Sequence, residues 1–272
     1  MAKVLLAALF GVLEGVTEWL PVSSTGHLIL LRHFVSFGVR DAFFELFEVV
    51  IQLAAITAVL VLFFNTLNPF SKRKTKRERN DTWCLWGKVM IATLPAAMIG
   101  LLLDDFLDAY LYRTAVVAAM LILYGACFIV IEKGRKRTPC ACQLEDVTLR
   151  HALLVGVFQL LALIPGTSRS GATVLGGILV GLSRPVAAQF SFFLGIPTMI
   201  GASLLKCVKF FGEGNTLSGE EIAMLGAGML VAFLCSLAVI RALMDFVRRH
   251  TFVAFGVYRI LLGIAVLCTL LV

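Results

Sequence analysis

Charge is what this chain of 272 residues has least of: Asp, Glu, Lys and Arg make up 15% of it, against 60% hydrophobic side chains and a mean hydropathy of +0.94. A soluble domain of this size needs about a quarter of its residues charged, so that class is excluded. Histidine is also rare, at four residues. The seven cysteines fall mostly inside apolar stretches, where a thiol behaves as a small hydrophobe. Only Cys140-Ala-Cys142 lies in a polar loop, and with no second pair nearby it reads as a reduced loop and not as a zinc site. A cleavable signal-peptide pattern is lacking, because Glu14 and Glu18 break the first apolar run. The net charge of +7 comes from cations between apolar segments, where Lys and Arg set membrane topology, so no nucleic-acid partner is expected. The composition is that of an all-α polytopic membrane protein with membrane lipids around it.

Six segments are long enough to cross a bilayer, about 45–64, 84–103, 114–131, 185–206, 222–240 and 251–272. Four others fall short: 4–13 and 28–36 flank one polar island, and 152–164 and 171–183 flank another. A helix of 13 residues rises about 20 Å, less than a hydrocarbon core of about 30 Å, so each pair reads as a re-entrant helix hairpin with a polar tip. Loops 65–84, 132–150 and 241–250 are rich in Lys and Arg and belong in the cytoplasm. Loop 104–113, with Asp104, Asp105 and Asp108, and loop 207–221, with Glu213, Glu220 and Glu221, belong outside. Six transmembrane helices plus two re-entrant hairpins satisfy this alternation and put both termini outside.

The two islands also resemble each other. Gly11 to Gly26 aligns, with a small gap, on Gly156 to Gly171. Each copy carries a hairpin and three crossings, so the expected organisation is an inverted repeat: 1–133 with hairpin 4–36, then 134–272 with hairpin 152–183. Broken helices of two inverted halves meeting near the midplane form a binding-site architecture.

The tips carry the chemistry. Ser23, Ser24 and Thr25 follow Pro21 and open one helix, while Thr167, Ser168, Arg169 and Ser170 follow Pro165 and open another. Free N–H groups and the positive dipole end at both helix starts favour an anion, and the planar fork of Arg169 suits phosphate oxygens. Glu14 and Glu18 share one helix face and could hold a divalent cation or move protons. His27, three residues after Ser24, is placed to activate its hydroxyl, although serines near a helix start are commonly only caps. On the first spanning helix Glu48 reads either as a third metal ligand beside Glu14 and Glu18 or, with Gln52, as a hydrogen-bonding partner of a neighbouring helix; Gln52 and Arg259 otherwise read as substrate-binding groups, Arg259 alternatively as a structural partner for a glutamate. Each charge at a bilayer centre costs about 2.5–3.5 kcal/mol, so Glu14, Glu18, Glu48, Arg169 and Arg259 must pair around a wet cavity.

Taken together, Glu14-Gly-Val-Thr-Glu18-Trp-Leu-Pro-Val-Ser-Ser-Thr-Gly-His27, Phe47-Glu-Val-Val-Ile-Gln-Leu53, Pro165-Gly-Thr-Ser-Arg-Ser-Gly-Ala-Thr173 and Tyr258-Arg259 closely resemble the undecaprenyl-diphosphate phosphatases of the bacitracin-resistance (BacA) type. The resemblance covers nearly the whole chain. It implies dephosphorylation of a polyprenyl diphosphate lipid in the bacterial inner (plasma) membrane with a divalent cation, Mg2+ or Ca2+. It also implies active-site roles for Glu14, Glu18, Ser24, His27, Ser168 and Arg169. Gln189 and Ala54 depart from the family pattern of Glu and Gly; the first puts an acidic role at 189 in doubt, and the second reads as packing. A lipid phosphatase of the acid-phosphatase type is excluded because no histidine lies between His151 and His250 to serve as its nucleophile. A transporter of lipid phosphate or a small organic anion remains the alternative, since inverted hairpins are also transporter hardware. Gly177-x-x-x-Gly181 could pack helices within one chain or across a homodimer.

Overall fold

The computed structural model describes residues 1–111, 113–134 and 138–270, with the side chains of 104–109 outside the described set. Arg135, Lys136 and Arg137 of the second basic loop and the acidic side chains Asp104, Asp105 and Asp108 therefore lie outside the described residues. Within those residues the chain is helical: α1 (Ala2–Thr17), α2 (Ser24–Phe34), α3 (Asp41–Leu62), α4 (Phe64–Leu67), α5 (Lys76–Tyr110), α6 (Thr114–Gly134), α7 (Leu149–Gln159), α8 (Arg169–Leu179), α9 (Arg184–Gly212), α10 (Gly219–Arg249) and α11 (Val253–Cys268). A 3-10 turn, Leu160–Leu163, prolongs α7. One isolated bridge, Ala141 to Leu182, is the only extended pairing among the described residues.

Five helices, α3, α5, α6, α9 and α10, are long and apolar enough to cross a membrane. Of the expected sixth, 251–272, the described residues are helical over the 16 residues of α11, about 24 Å. Two loop boundaries are corrected. α5 starts at Lys76, inside the basic stretch 65–84, and continues to Tyr110, through most of the stretch read as an outer loop. No Gly or Pro lies between Leu101 and Tyr110 to stop it, so acidity set the side of the membrane in the sequence reading without ending the helix.

The packing partners come in matched sets. α1 lies on α10 as α7 lies on α5, α3 on α10 as α9 on α5, and α2 on α11 as α8 on α6. α3 and α9 pack on each other antiparallel, Lys206 pairing with Glu45 and the Ser203 hydroxyl donating to the Val49 carbonyl. Glycine sets the closest approaches. A Cβ on Gly11 would run into the Gly228 carbonyl of α10, and one on Gly156 into the Ala92 carbonyl of α5. Gly177 and Gly181 meet Ala187, Leu182 and Cys140 of the same chain, packing within the chain as one of the two expected readings has it.

The ends of the bundle are distinct. At one end Lys3 pairs with Glu220, Arg40 with Glu221, and Lys206 with Glu45, gathering the starts of α1, α3 and α10 and the end of α9. At the other, Arg184 pairs with buried Glu132, which also accepts from the Phe252 N–H, and the Cys140 thiol reaches the Gly181 carbonyl at 3.5 Å, with His151 Nε2 3.9 Å away. All seven cysteines are free. An apolar core cluster between the ends includes Trp19, edge-to-face on Phe192 with ring centroids 5.4 Å apart.

These close approaches predict that Gly156→Val lowers the thermal midpoint of the detergent-solubilised protein by roughly 2–10 °C through overpacking. Gly87→Ala, where a Cβ meets nothing within 4 Å, should leave it unchanged or slightly higher. Thermal scanning of the two variants checks it.

Candidate active site

Both islands fold as helix, turn, helix. Glu18, just past the end of α1, keeps helical angles and donates its N–H to the Glu14 carbonyl, so the two carboxylates stay one turn apart on one face. The chain then turns so that Ser23 caps α2 and Ser168 caps α8, each side chain accepting from the N–H three residues on, Gly26 and Gly171. These serines have φ of 72° and 70° and are the only non-glycine residues with positive φ among the described residues. Such a backbone costs on the order of 1–3 kcal/mol and persists only where its surroundings over-determine it. Gly11 and Gly156, Glu14 and Gln159, and Ser23 and Ser168 stand at one constant separation, so at these positions the islands match without the gap that aligning the prolines introduced.

Across the tips, Arg169 Nη2 donates to Glu18 Oε1 at 3.0 Å. Arg169 Nη1 donates to the Ser191 carbonyl at 2.9 Å, and its Nε–H is buried without an acceptor. The guanidinium lies against Gly195 of α9, where a Cβ would come within 2.9 Å of it. The other Glu18 oxygen accepts the Ser24 hydroxyl at 3.2 Å. Ser24, Glu18 and Arg169 thus form one hydrogen-bonded chain.

His27 is not the partner of Ser24. Its Nδ1 is 2.7 Å from the Ser23 carbonyl and its Nε2 is 2.7 Å from the Tyr258 hydroxyl. A carbonyl only accepts, so Nδ1 carries the proton and Nε2 accepts from Tyr258. With both ring nitrogens engaged, His27 braces the tip, and the pairing expected from its spacing to Ser24 gives way to Ser24 with Glu18.

Arg259 faces the backbone of both tips. Fully buried, it donates from Nη1 to the Pro21 carbonyl at 3.1 Å and from Nη2 to the Gly166 and Thr167 carbonyls, both at 2.9 Å. It clips the turns together and has no glutamate partner among the described residues. Ser170 is also a brace, its buried hydroxyl reaching the Glu18 and Leu20 carbonyls at 3.0 and 3.3 Å and Ser168 Oγ at 3.1 Å. Thr25 and Ser168 stay partly exposed at the two helix starts.

Glu14 is completely buried, and no donor group among the described residues reaches its carboxylate oxygens, which lie within hydrogen-bonding reach of the Glu18 carboxyl. Its neighbours in charge are Glu18, Glu48 and Arg169. The side chains of Glu48 and Gln52, one turn apart on α3, are half-buried and hydrogen-bond to no other side chain or carbonyl among the described residues. No three carboxylate, imidazole or thiol groups are gathered as a protein-only metal cage among the described residues. Two hard oxygens that no donor reaches, beside a second carboxylate, nonetheless fit a divalent cation that takes its other ligands from phosphate and water.

Several functional contacts had weak or no sequence signal. Tyr258 was visible only beside Arg259, and Gly195 and Ser191, which seat Arg169, carried no signal that they would meet a residue of α8. Gln189 is half-buried on α9, and Ala54 is buried on α3, in keeping with a packing role.

The family model described as bacitracin resistance protein BacA matches residues 7–265. A protein of Enterococcus faecalis named undecaprenyl-diphosphatase is 55% identical over 94% of this chain and 94% of its own length. Proteins of the same name from Streptococcus thermophilus, 53% identical over 97% of this chain and 92% of theirs, and from Lactiplantibacillus plantarum, 51% identical over 98% of each, are similar throughout. With the family match running from α1 into α11, the chain belongs to the bacitracin resistance protein BacA family.

Proposed function

We infer that this chain is an undecaprenyl-diphosphatase, a membrane hydrolase that converts undecaprenyl diphosphate to undecaprenyl phosphate and inorganic phosphate and so recycles the cell-wall lipid carrier and confers bacitracin resistance. The observation that carries the reading is the Ser24–Glu18–Arg169 chain between two helix starts. A hydroxyl becomes nucleophilic when an adjacent base takes its proton, and Glu18 is the base within reach. In the proposed path Ser24 Oγ attacks the terminal phosphorus as its proton passes to Glu18 Oε2. The bond from phosphorus to the bridging oxygen breaks, and undecaprenyl phosphate leaves. Glu18 gives up this first proton to the departing phosphate or to solvent; water then attacks the phosphoserine and passes a proton to Glu18, which returns it to Ser24 Oγ as the phosphorus–Oγ bond breaks and inorganic phosphate leaves. Arg169 stabilises the transferring group through its orphaned Nε–H, and first-turn N–H groups of α2 and α8 add donors.

A divalent cation, Mg2+ or Ca2+, belongs to this proposal, with Glu14 and Glu18 as its protein ligands; it would neutralise charge on the diphosphate. Glu48 stands in reach of Glu14's charge but joins no cluster with it, so its role in the proposal is electrostatic.

The architecture we propose is an inverted repeat of six crossings and two re-entrant hairpins, in the plasma membrane of a bacterium. The matched packing partners support it, as does the antiparallel pairing of α3 with α9. The ends agree too: α1 starts beside Glu220 at one end, while Gly181, two residues past the end of α8, meets Cys140 at the other. α11 would then cross with its 16 residues by thinning the bilayer locally.

Phosphate release from a long-chain isoprenyl diphosphate by the detergent-purified protein tests the activity; transport of an intact lipid phosphate without release would favour the transporter. Ser24→Ala and Glu18→Gln should each lower turnover by about 10² to 10⁴. Tyr258→Phe, which removes only the brace on His27, should cost less than about tenfold. Steady-state rates of the three rank these roles, and a Tyr258→Phe loss as deep as that of Ser24→Ala would return the base role to His27.

Chelation should abolish release and added Mg2+ restore it, with Glu14→Gln needing more metal for half-maximal rate. Full activity in excess chelator would leave the carboxylates as proton carriers only.

Single cysteines at 74 and 214, in a cysteine-free background, test orientation through impermeant thiol labelling of intact cells. Position 214 should react and 74 should not.

A further inference from the structure

The connection from α3 to α5 carries a feature that the phosphatase chemistry does not use. Residues 72–79 hold Lys72, Arg73, Lys74, Lys76, Arg77 and Arg79, against Glu78 and, just beyond, Asp81. Lys74 is turned inward, its Nζ donating to the Thr66 carbonyl at 3.0 Å and to Thr82 Oγ1 at 2.7 Å. Glu78 is engaged with Thr75, accepting its N–H at 2.6 Å and its hydroxyl at 2.8 Å. The other five cations are exposed and form no ion pair among the described residues. The opposite end of the bundle differs, since Lys3, Arg40 and Lys206 there each meet a glutamate.

Two exposed aromatic rings stand beside the strip. Phe70 is 77% exposed and Trp83 53% exposed, and they meet edge-to-face with centroids 5.6 Å apart. The connection is held to α5, because Trp86 Nε1 donates to the Leu67 carbonyl at 2.8 Å. Rings at the edge of an apolar helix occupy the headgroup layer of a bilayer. Setting topology during insertion requires only the charges; it does not require them to be fixed beside an exposed aromatic pair on a loop pinned to the helix.

We propose that this cap is a binding surface for anionic phospholipid headgroups, with Phe70 and Trp83 as the interfacial anchor and Lys72, Arg73, Lys76, Arg77 and Arg79 as the phosphate contacts. Charge complementarity selects the occupant, and the rings place it at the membrane rather than in solution. The proposal rests on α3 and α5 crossing the membrane and is independent of the phosphatase reading.

Trp83 provides the probe. The full-length protein is reconstituted in phosphatidylcholine nanodiscs doped, at equal mole fraction, with brominated phosphatidylglycerol or brominated phosphatidylcholine, and the Trp83 signal is isolated by subtracting that of Trp83→Phe. Brominated phosphatidylglycerol should quench Trp83 about twofold more strongly, and high salt should remove the excess. R77Q/R79Q, which leaves Lys72, Arg73 and Lys76 to hold topology, should lose part of the excess with turnover unchanged. Equal quenching of the wild type by the two lipids, or an excess untouched by salt and by R77Q/R79Q, would overturn the proposal. An excess displaced by a soluble acidic peptide would overturn it in favour of a protein partner. Lost phosphate release with the quenching excess intact would count against the phosphatase reading alone.

Discussion

The ion pair between Glu18 and Arg169 is the contact on which the two polar tips of this protein depend. Its members are 151 residues apart in sequence and come from two different helix breaks. Either charge alone in an apolar interior costs several kcal/mol, so a hairpin without its counterpart would hold an uncompensated ion. The pair is also incomplete by design of its surroundings: Glu18 has one oxygen left for Ser24, and Arg169 keeps its Nε–H unspent. The contact that holds the tips together thus leaves one carboxylate oxygen bonded to a hydroxyl and one guanidinium N–H unspent.

The backbone around that contact is arranged at local cost. Ser23 and Ser168 adopt left-handed φ values where each caps a helix. The turns leave carbonyls without helical partners, and Arg259 collects three of them with one buried guanidinium. Its charge sits against backbone dipoles and within 5.6 Å of the Tyr124 ring centre, which spares it a carboxylate that would compete for Arg169. His27 and Tyr258 hold the first tip in the same way, the imidazole bridging the Ser23 carbonyl and the Tyr258 hydroxyl.

Much of this was legible in the chain. Short apolar segments around polar islands predicted breaks in the helices, and the breaks fall at Thr17 to Ser24 and Leu163 to Arg169. The i, i+4 spacing put Glu14 and Glu18 on one face because a helix through Gly15 to Thr17 needs nothing beyond the local backbone. Boundaries were less legible. Charge marks where a chain leaves the membrane, whereas a helix ends only where a cap or breaker intervenes, so α5 runs through the stretches read as loops on both sides.

The partners within the site were not legible. Spacing favoured His27 for Ser24 because three residues on a helix bring side chains together, but the strained Ser23 turn and Tyr258, 231 residues away, claim both ring nitrogens. Spacing likewise left Arg259 open between a site cation and the partner of a glutamate, and only the folded turns show it bonded to carbonyls. By itself the sequence determined the solvent, the helix breaks and the inventory of reactive groups, since hydropathy and helical periodicity are local properties. Which group faces which was decided by the tertiary structure alone, because pairing in an apolar interior is fixed by the one arrangement that leaves the fewest charges and carbonyls unmet.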